Sequence, residues 1–184
     1  MMLDTIQAFL CHPDRDQPRK ANFRRIRNSH WIKPTGGLWT STYLGPETIS
    51  DWAEWCRSEE FSCGEHHLWL LTPSPTARLI TINSANDLVT MLQRPEQLAY
   101  ERSVDSMIRD TMKMFAFIDF EALAQAGVDG IHLTERGQQA TRFSMPGLYG
   151  WDCESSCWLR WAFDAIEDGG LVTIEGRQYE PLED

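Results

Sequence analysis

The sequence predicts an α+β domain with a largely antiparallel sheet. Short apolar runs of strand length recur at residues 38–43, 67–71, 77–82 and 131–134, each bounded by Pro, Gly or polar residues. Segments of helical spacing lie between them. The two kinds of element do not alternate in a steady strand-helix-strand rhythm, which argues against a doubly wound parallel sheet. With 184 residues and a 42% hydrophobic fraction, the chain reads as one domain over residues 1–184, its core about 22–175.

Taken in order, residues 22–28 (NFRRIRN) alternate enough to suggest the first strand, preceded by a short apolar stretch at residues 6–10. Lys33-Pro34-Thr35-Gly36-Gly37 is a turn by its Pro and Gly content. Residues 38–43 (LWTSTY) are aromatic and β-branched, hence a strand. Ser50 or Asp51 caps the next helix, with Trp52, Trp55 and Cys56 along one face. Pro73 and Pro75 separate the strands at 67–71 and 77–82. Helices are expected at residues 86–92, 97–114 and 119–126, then a turn at Gly127-Val128-Asp129-Gly130 and a strand at 131–134. Residues 135–146 read as a polar loop. Residues 147–158 lead into a last strand, and 171–174 into a short edge strand.

Seventeen basic against twenty-seven acidic residues leave a formal charge of −10, which disfavours non-specific binding to nucleic acid. Arg15, Arg19, Lys20, Arg24, Arg25, Arg27 and Lys33 nevertheless cluster. They read either as a solvated face or as a receiver for a diphosphate. No stretch is apolar enough for a membrane helix and no export signal is visible, so the expected location is cytoplasmic. The five cysteines are expected as free thiols. No metal is expected, because Cys56, Cys63, His66 and His67 follow no zinc-binding spacing. Dinucleotide fingerprints of the GxGxxG type and phosphate loops ending in GK[ST] are both absent.

Polar chemistry concentrates in residues 23–43 and 147–158. In a strand reading of WDCESSCW, Asp152, Glu154 and Ser156 point to one face and Cys153, Ser155 and Cys157 to the other. Two carboxylates so placed beside tryptophans raise each other's pKa, either at a working site or on a solvated edge. Gly37 permits a close approach of ligand or an ordinary turn.

Together these segments resemble the ADP-ribosyltransferase superfamily, toxin-like enzymes that cleave NAD. FRRIR resembles its first strand bearing an Arg or His. GGLWTSTYL running into SDWAEWC resembles its second strand and helix, and WDCES its late glutamate strand. HHLWLLTPSPTARLITI is similar to the paired core strands, and QAGVDGIHLTE to the approach to the final motif, so the resemblance spans about residues 22–158. KPTGGLW with a later GWD also resembles phage and bacterial proteins of unassigned function, which implies an effector acting in a host cytoplasm.

The resemblance implies a split antiparallel core and NAD as substrate. It implies Glu154 on the ribose 2′-OH, Ser41 orienting the first arginine or Glu154, and Asp152 positioning the nucleophile. Arg25, or Arg24, would hold the diphosphate or adenylate ribose beside Gly37, with Trp39 or Tyr43 stacked on the pyridinium. His30 is a poor substitute for the first-strand residue. Thr40-Ser41-Thr42 replaces a Ser-Thr-Ser triplet, and Asp152 stands where arginine-modifying members carry Glu or Gln. The acceptor is expected to be a protein ahead of DNA or RNA. The rival reading is a non-catalytic acidic protein that blocks a host enzyme.

Overall fold

The segment LWTST forms the central strand β2 (Leu38–Thr42) because it can be buried on both sides: Leu38, Thr40 and Ser41 are all covered. The computed structural model describes residues 5–29, 32–98 and 114–176. Around β2 lie β1 (Gln7–Cys11), α1 (Asp51–Ser58), β3 (Gly64–Pro73), β4 (Leu79–Ile82) and α2 (Ala85–Leu92). They are followed by α3 (Phe120–Gln125), β5 (Gly130–Leu133), α4 (Glu135–Thr141), β6 (Ser155–Trp158) and β7 (Phe163–Ile174).

The strands form a seven-stranded sheet in the order β4-β5-β6-β2-β1-β3-β7. Every pairing is antiparallel except β4 with β5. The α+β class with a largely antiparallel sheet is therefore as the sequence predicts.

Period-two burial explains how the sheet is covered. In β1, Ala8 and Leu10 join a core cluster with Ile49, Ala53 and Cys56 beneath α1. Phe9 and Cys11 face the other way, toward Trp69, Leu71, Trp158 and Phe163. A third cluster, with Leu88, Phe120, Leu123, Ile131 and Leu133, seats α2 and α3 beside the β4–β5–β6 end.

β1 and β2 are joined at one end only. Register pairs are Gln7 with Thr42 and Ala8 with Ser41; beyond them the two strands part and the sheet forks. On the far side of the fork β2 continues to pair with β6, from Leu38–Trp158 to Thr40–Ser156.

Three expectations are corrected. Residues 22–28 form no strand: only Arg27 bridges to Thr35, and the first strand is the apolar stretch at Gln7–Cys11. The segment holding Arg24 and Arg25 is tied to the turn before β2, where the Gly37 N–H donates to the Arg24 carbonyl, and is anchored by buried Ile26. Residues 135–146 are not all loop, since Glu135–Thr141 forms α4, capped by Thr134. The last strand is a full edge, Phe163–Ile174, instead of four residues. The helix expected over residues 97–114 falls almost wholly outside the described residues.

Candidate functional site

At the fork, a cavity of about 270 Å³ opens between the parted strands. Its walls include Phe9 and Leu10 of β1, Trp39 and Ser41 of β2, Trp52 at the start of α1, and the segment Trp151–Cys153. The lining is mostly carbon with a few polar groups, the usual make-up of a small-molecule site, although the volume suits a single substituted ring better than a large ligand. Trp39 and Trp151 meet edge to face, 4.7 Å between centroids.

Glu154 lies just behind this wall, before the first residue of β6, and is 7% exposed. Such burial is costly for a carboxylate unless donors surround it. Ser41 Oγ donates to Glu154 Oε2 at 2.6 Å, the Thr42 backbone N–H to the same oxygen at 2.9 Å, and Thr42 Oγ1 to Oε1 at 3.0 Å. Burial pushes the Glu154 pKa up, while the bonds from Ser41 and Thr42 hold it down. Ser41 is itself fixed by the N-terminus of α1, where the Trp52 N–H donates to its Oγ at 3.4 Å.

His132 on β5 completes the group, its Nδ1 2.9 Å from Ser156 Oγ and 3.4 Å from Glu154 Oε1. Burial depresses the imidazole to about 4, so it is neutral at pH 7. The polar chain extends on the other side: Trp158 Nε1 donates to Thr40 Oγ1, which donates to Gln7 Oε1, both at 2.8 Å. Gln7 and His132 were missed from sequence. Their only signal was a polar side chain in a run otherwise apolar, QAFL and GIHL.

Ser41, Trp39, Asp152 and Glu154 thus converge on one place. Asp152 and Glu154, however, do not share a strand face. Both precede β6, Asp152 pairs with Lys33 at 3.5 Å, and burial rather than Asp152 raises Glu154.

Arg24 and Arg25 stay away from the cavity. Arg24 borders a separate groove with Arg15 and Trp161, and Arg25 lies near Glu121 and Ala124, because their segment is not a strand beside β2. The first-strand polar position next to β2 is held by Gln7. Gly37 serves the fold: at φ +65° a Cβ there would sit 2.6 Å from the Trp158 carbonyl. Tyr43 packs against the core cluster under α1 and is not among the residues that line the cavity. His30 lies outside the described residues.

Among the described residues, no cluster of three or more His, Cys, Asp or Glu side chains is placed to hold a metal. None of their helices is long and apolar enough to cross a membrane. The described cysteines are free thiols. No protein-family model, curated protein or solved structure matches this chain.

Proposed function

We propose that the forked cleft binds NAD and that the protein transfers ADP-ribose from it to a macromolecular acceptor, a protein ahead of nucleic acid. The observation that carries this reading is the Ser41 Oγ–Glu154 Oε2 contact of 2.6 Å, made between β2 and the residue that leads into β6, behind a tryptophan-lined cavity. A buried carboxylate held in place by a hydroxyl can offset the positive charge that develops in an oxocarbenium-like transition state, which is what glycosyl transfer calls for.

In this reading Glu154 receives the 2′-OH of the nicotinamide ribose and offsets the charge that develops as the C–N bond breaks and nicotinamide leaves. An ionised carboxylate has about four acceptor positions, of which Ser41 and Thr42 fill three. If Ser156 Oγ–H donates to His132 Nδ1, the fourth has no donor within the protein. Trp39 and Trp52 flank the ring, and Asp152 at the mouth orients the incoming nucleophile. Arg24 and Arg25 take no part.

The test is calorimetric titration with NAD, followed by incubation with etheno-NAD and a cell lysate, for the native chain, Glu154→Gln and Ser41→Ala. Binding is expected in all three. Label transfer should fall by about 10²-fold or more in Glu154→Gln, the scale for losing one preorganised charge-stabilising group. Full transfer by Glu154→Gln overturns the mechanism. A second reading, binding without turnover, is favoured by the near-saturation of Glu154 with internal donors; it predicts NAD affinity and no transferred label from any of the three.

A further inference from the structure

The basic cluster of the N-terminal region suggests an anion site, but the one member of it that reaches the cavity does not stand free. Lys33 lines the cleft with its Nζ 3.5 Å from Asp152 Oδ2 and 5.6 Å from the centroid of the Trp39 ring. It therefore occupies the two features that attract a cation: a carboxylate and an indole face. Its side chain is 45% exposed and sits on the turn before β2, so it can leave for solvent without disturbing the core.

The electrostatics around it are negative. The cavity-lining Cys153 thiol is pushed up to about 12, first by burial and then by Glu154, Asp51 and Asp152. Asp51, at the start of α1, is raised by burial and by Glu154, Glu135 and Glu54. An anion entering the cleft would meet these carboxylates with a single, already neutralised lysine to receive it. A cation would exchange places with Lys33 and keep both attractions.

We infer that the cleft selects a flat organic cation, and that Lys33 is an internal occupant which such a ligand displaces. This uses the same cleft as the proposed NAD site, whose pyridinium belongs to that chemical class, but it does not depend on NAD being the ligand. The three tryptophans Trp39, Trp52 and Trp151 supply aromatic walls, Asp152 the counter-charge, and the volume of about 270 Å³ limits the buried portion to about one substituted ring.

The experiment compares 1-methylnicotinamide, a cation, with nicotinamide, its neutral counterpart, and nicotinate, an anion, by tryptophan fluorescence titration of the whole chain. The native protein should prefer the cation by about tenfold. Lys33→Met should tighten cation binding several-fold by removing the competitor, an effect loss of structure would not give. Asp152→Asn, a change at a partly exposed side chain, should abolish most of the preference. Equal binding of the two ligands, binding of neither, or a weaker cation in Lys33→Met overturns the inference. The last of these, with nicotinate preferred over both, would make Lys33 an anion anchor. Cation selectivity in a protein that neither binds NAD nor transfers its ADP-ribose leaves this inference standing and removes the functional one. NAD turnover with a Lys33→Met variant of unchanged cation affinity does the reverse.

Discussion

At the scale of single residues, the Ser41 hydroxyl has two tasks, because the group it serves is a buried carboxylate. Ser41→Ala removes a 2.6 Å donor from Glu154 and leaves that oxygen with the Thr42 N–H alone. Unfolding in urea should show a loss of about 1–3 kcal/mol, the range for a buried partner left short of a bond, with little change in m-value. His132 gives a pH dependence whose sign follows from its depressed pKa. Between about 6.5 and about 4 the unfolded chain takes up a proton that the folded imidazole refuses, so stability falls as pH drops through that window. Glu154, shifted upward, acts in the opposite sense: its contribution is lost as pH rises through its folded value. His132→Gln isolates the first effect. The difference in unfolding free energy between native and variant should grow by on the order of 3 kcal/mol from pH 4 to pH 7. The carboxylate, the serine and the cleft tryptophan were legible in the sequence because short motifs with the right spacing carried them. Arg24 and Arg25 misled because a run of charges alternating with apolar residues looks the same beside a sheet as in one. Gln7 and His132 were invisible because their roles come only from strands distant in sequence.

At the scale of elements, α4 shows why a polar segment can still be a helix. Its buried positions are Gly137 and Thr141, so the apolar periodicity that marks α1 and α2 is missing. What holds it is Thr134 Oγ1 accepting from the Gly137 N–H at 3.0 Å, and close contact with β4. A Cβ on Gly137 would lie 2.0 Å from the Ile82 carbonyl oxygen, a distance no relaxation of a side chain can mend. Gly137→Ala should therefore destabilise by about 1–3 kcal/mol despite the better helix propensity of alanine, as read from thermal unfolding. An exposed-site substitution in the same helix, Gln139→Ala, should be within about 0.5 kcal/mol of neutral. The cap of α1, by contrast, was narrowed to Ser50 or Asp51 from sequence, since an N-cap is a local signal, and Ser50 fills it.

At the scale of the molecule, the cleft exists because β1 and β2 share two register pairs and then separate. A ligand there touches both halves of the sheet and has no counterpart site in the unfolded chain. NAD at about a hundred times its dissociation constant should add about 2.7 kcal/mol to the unfolding free energy. For a chain of this length that is about 5–10 °C in Tm, and a scan that shows no shift at millimolar NAD argues against the proposed substrate. The α+β class was readable from run lengths and their spacing. The strand order β4-β5-β6-β2-β1-β3-β7 was not, because long-range pairing leaves no local trace, and neither was the place where the ladder opens.

The long outer strand β7 carries a consequence for handling the protein. Among the described residues it pairs with β3 alone, and its other edge is bare over Phe163–Ile174. Such an edge recruits further copies unless charge and irregularity discourage them. Here Asp164, Glu167 and Asp168, a register shift opposite Leu68 and Trp69, and the Gly169–Gly170 pair supply both. Acid buffers near pH 4.9, where the chain approaches zero net charge, weaken that protection. Purification and long storage should then produce haze and fibrous precipitate, so dilute, mildly alkaline, low-salt solutions are the ones in which a preparation keeps.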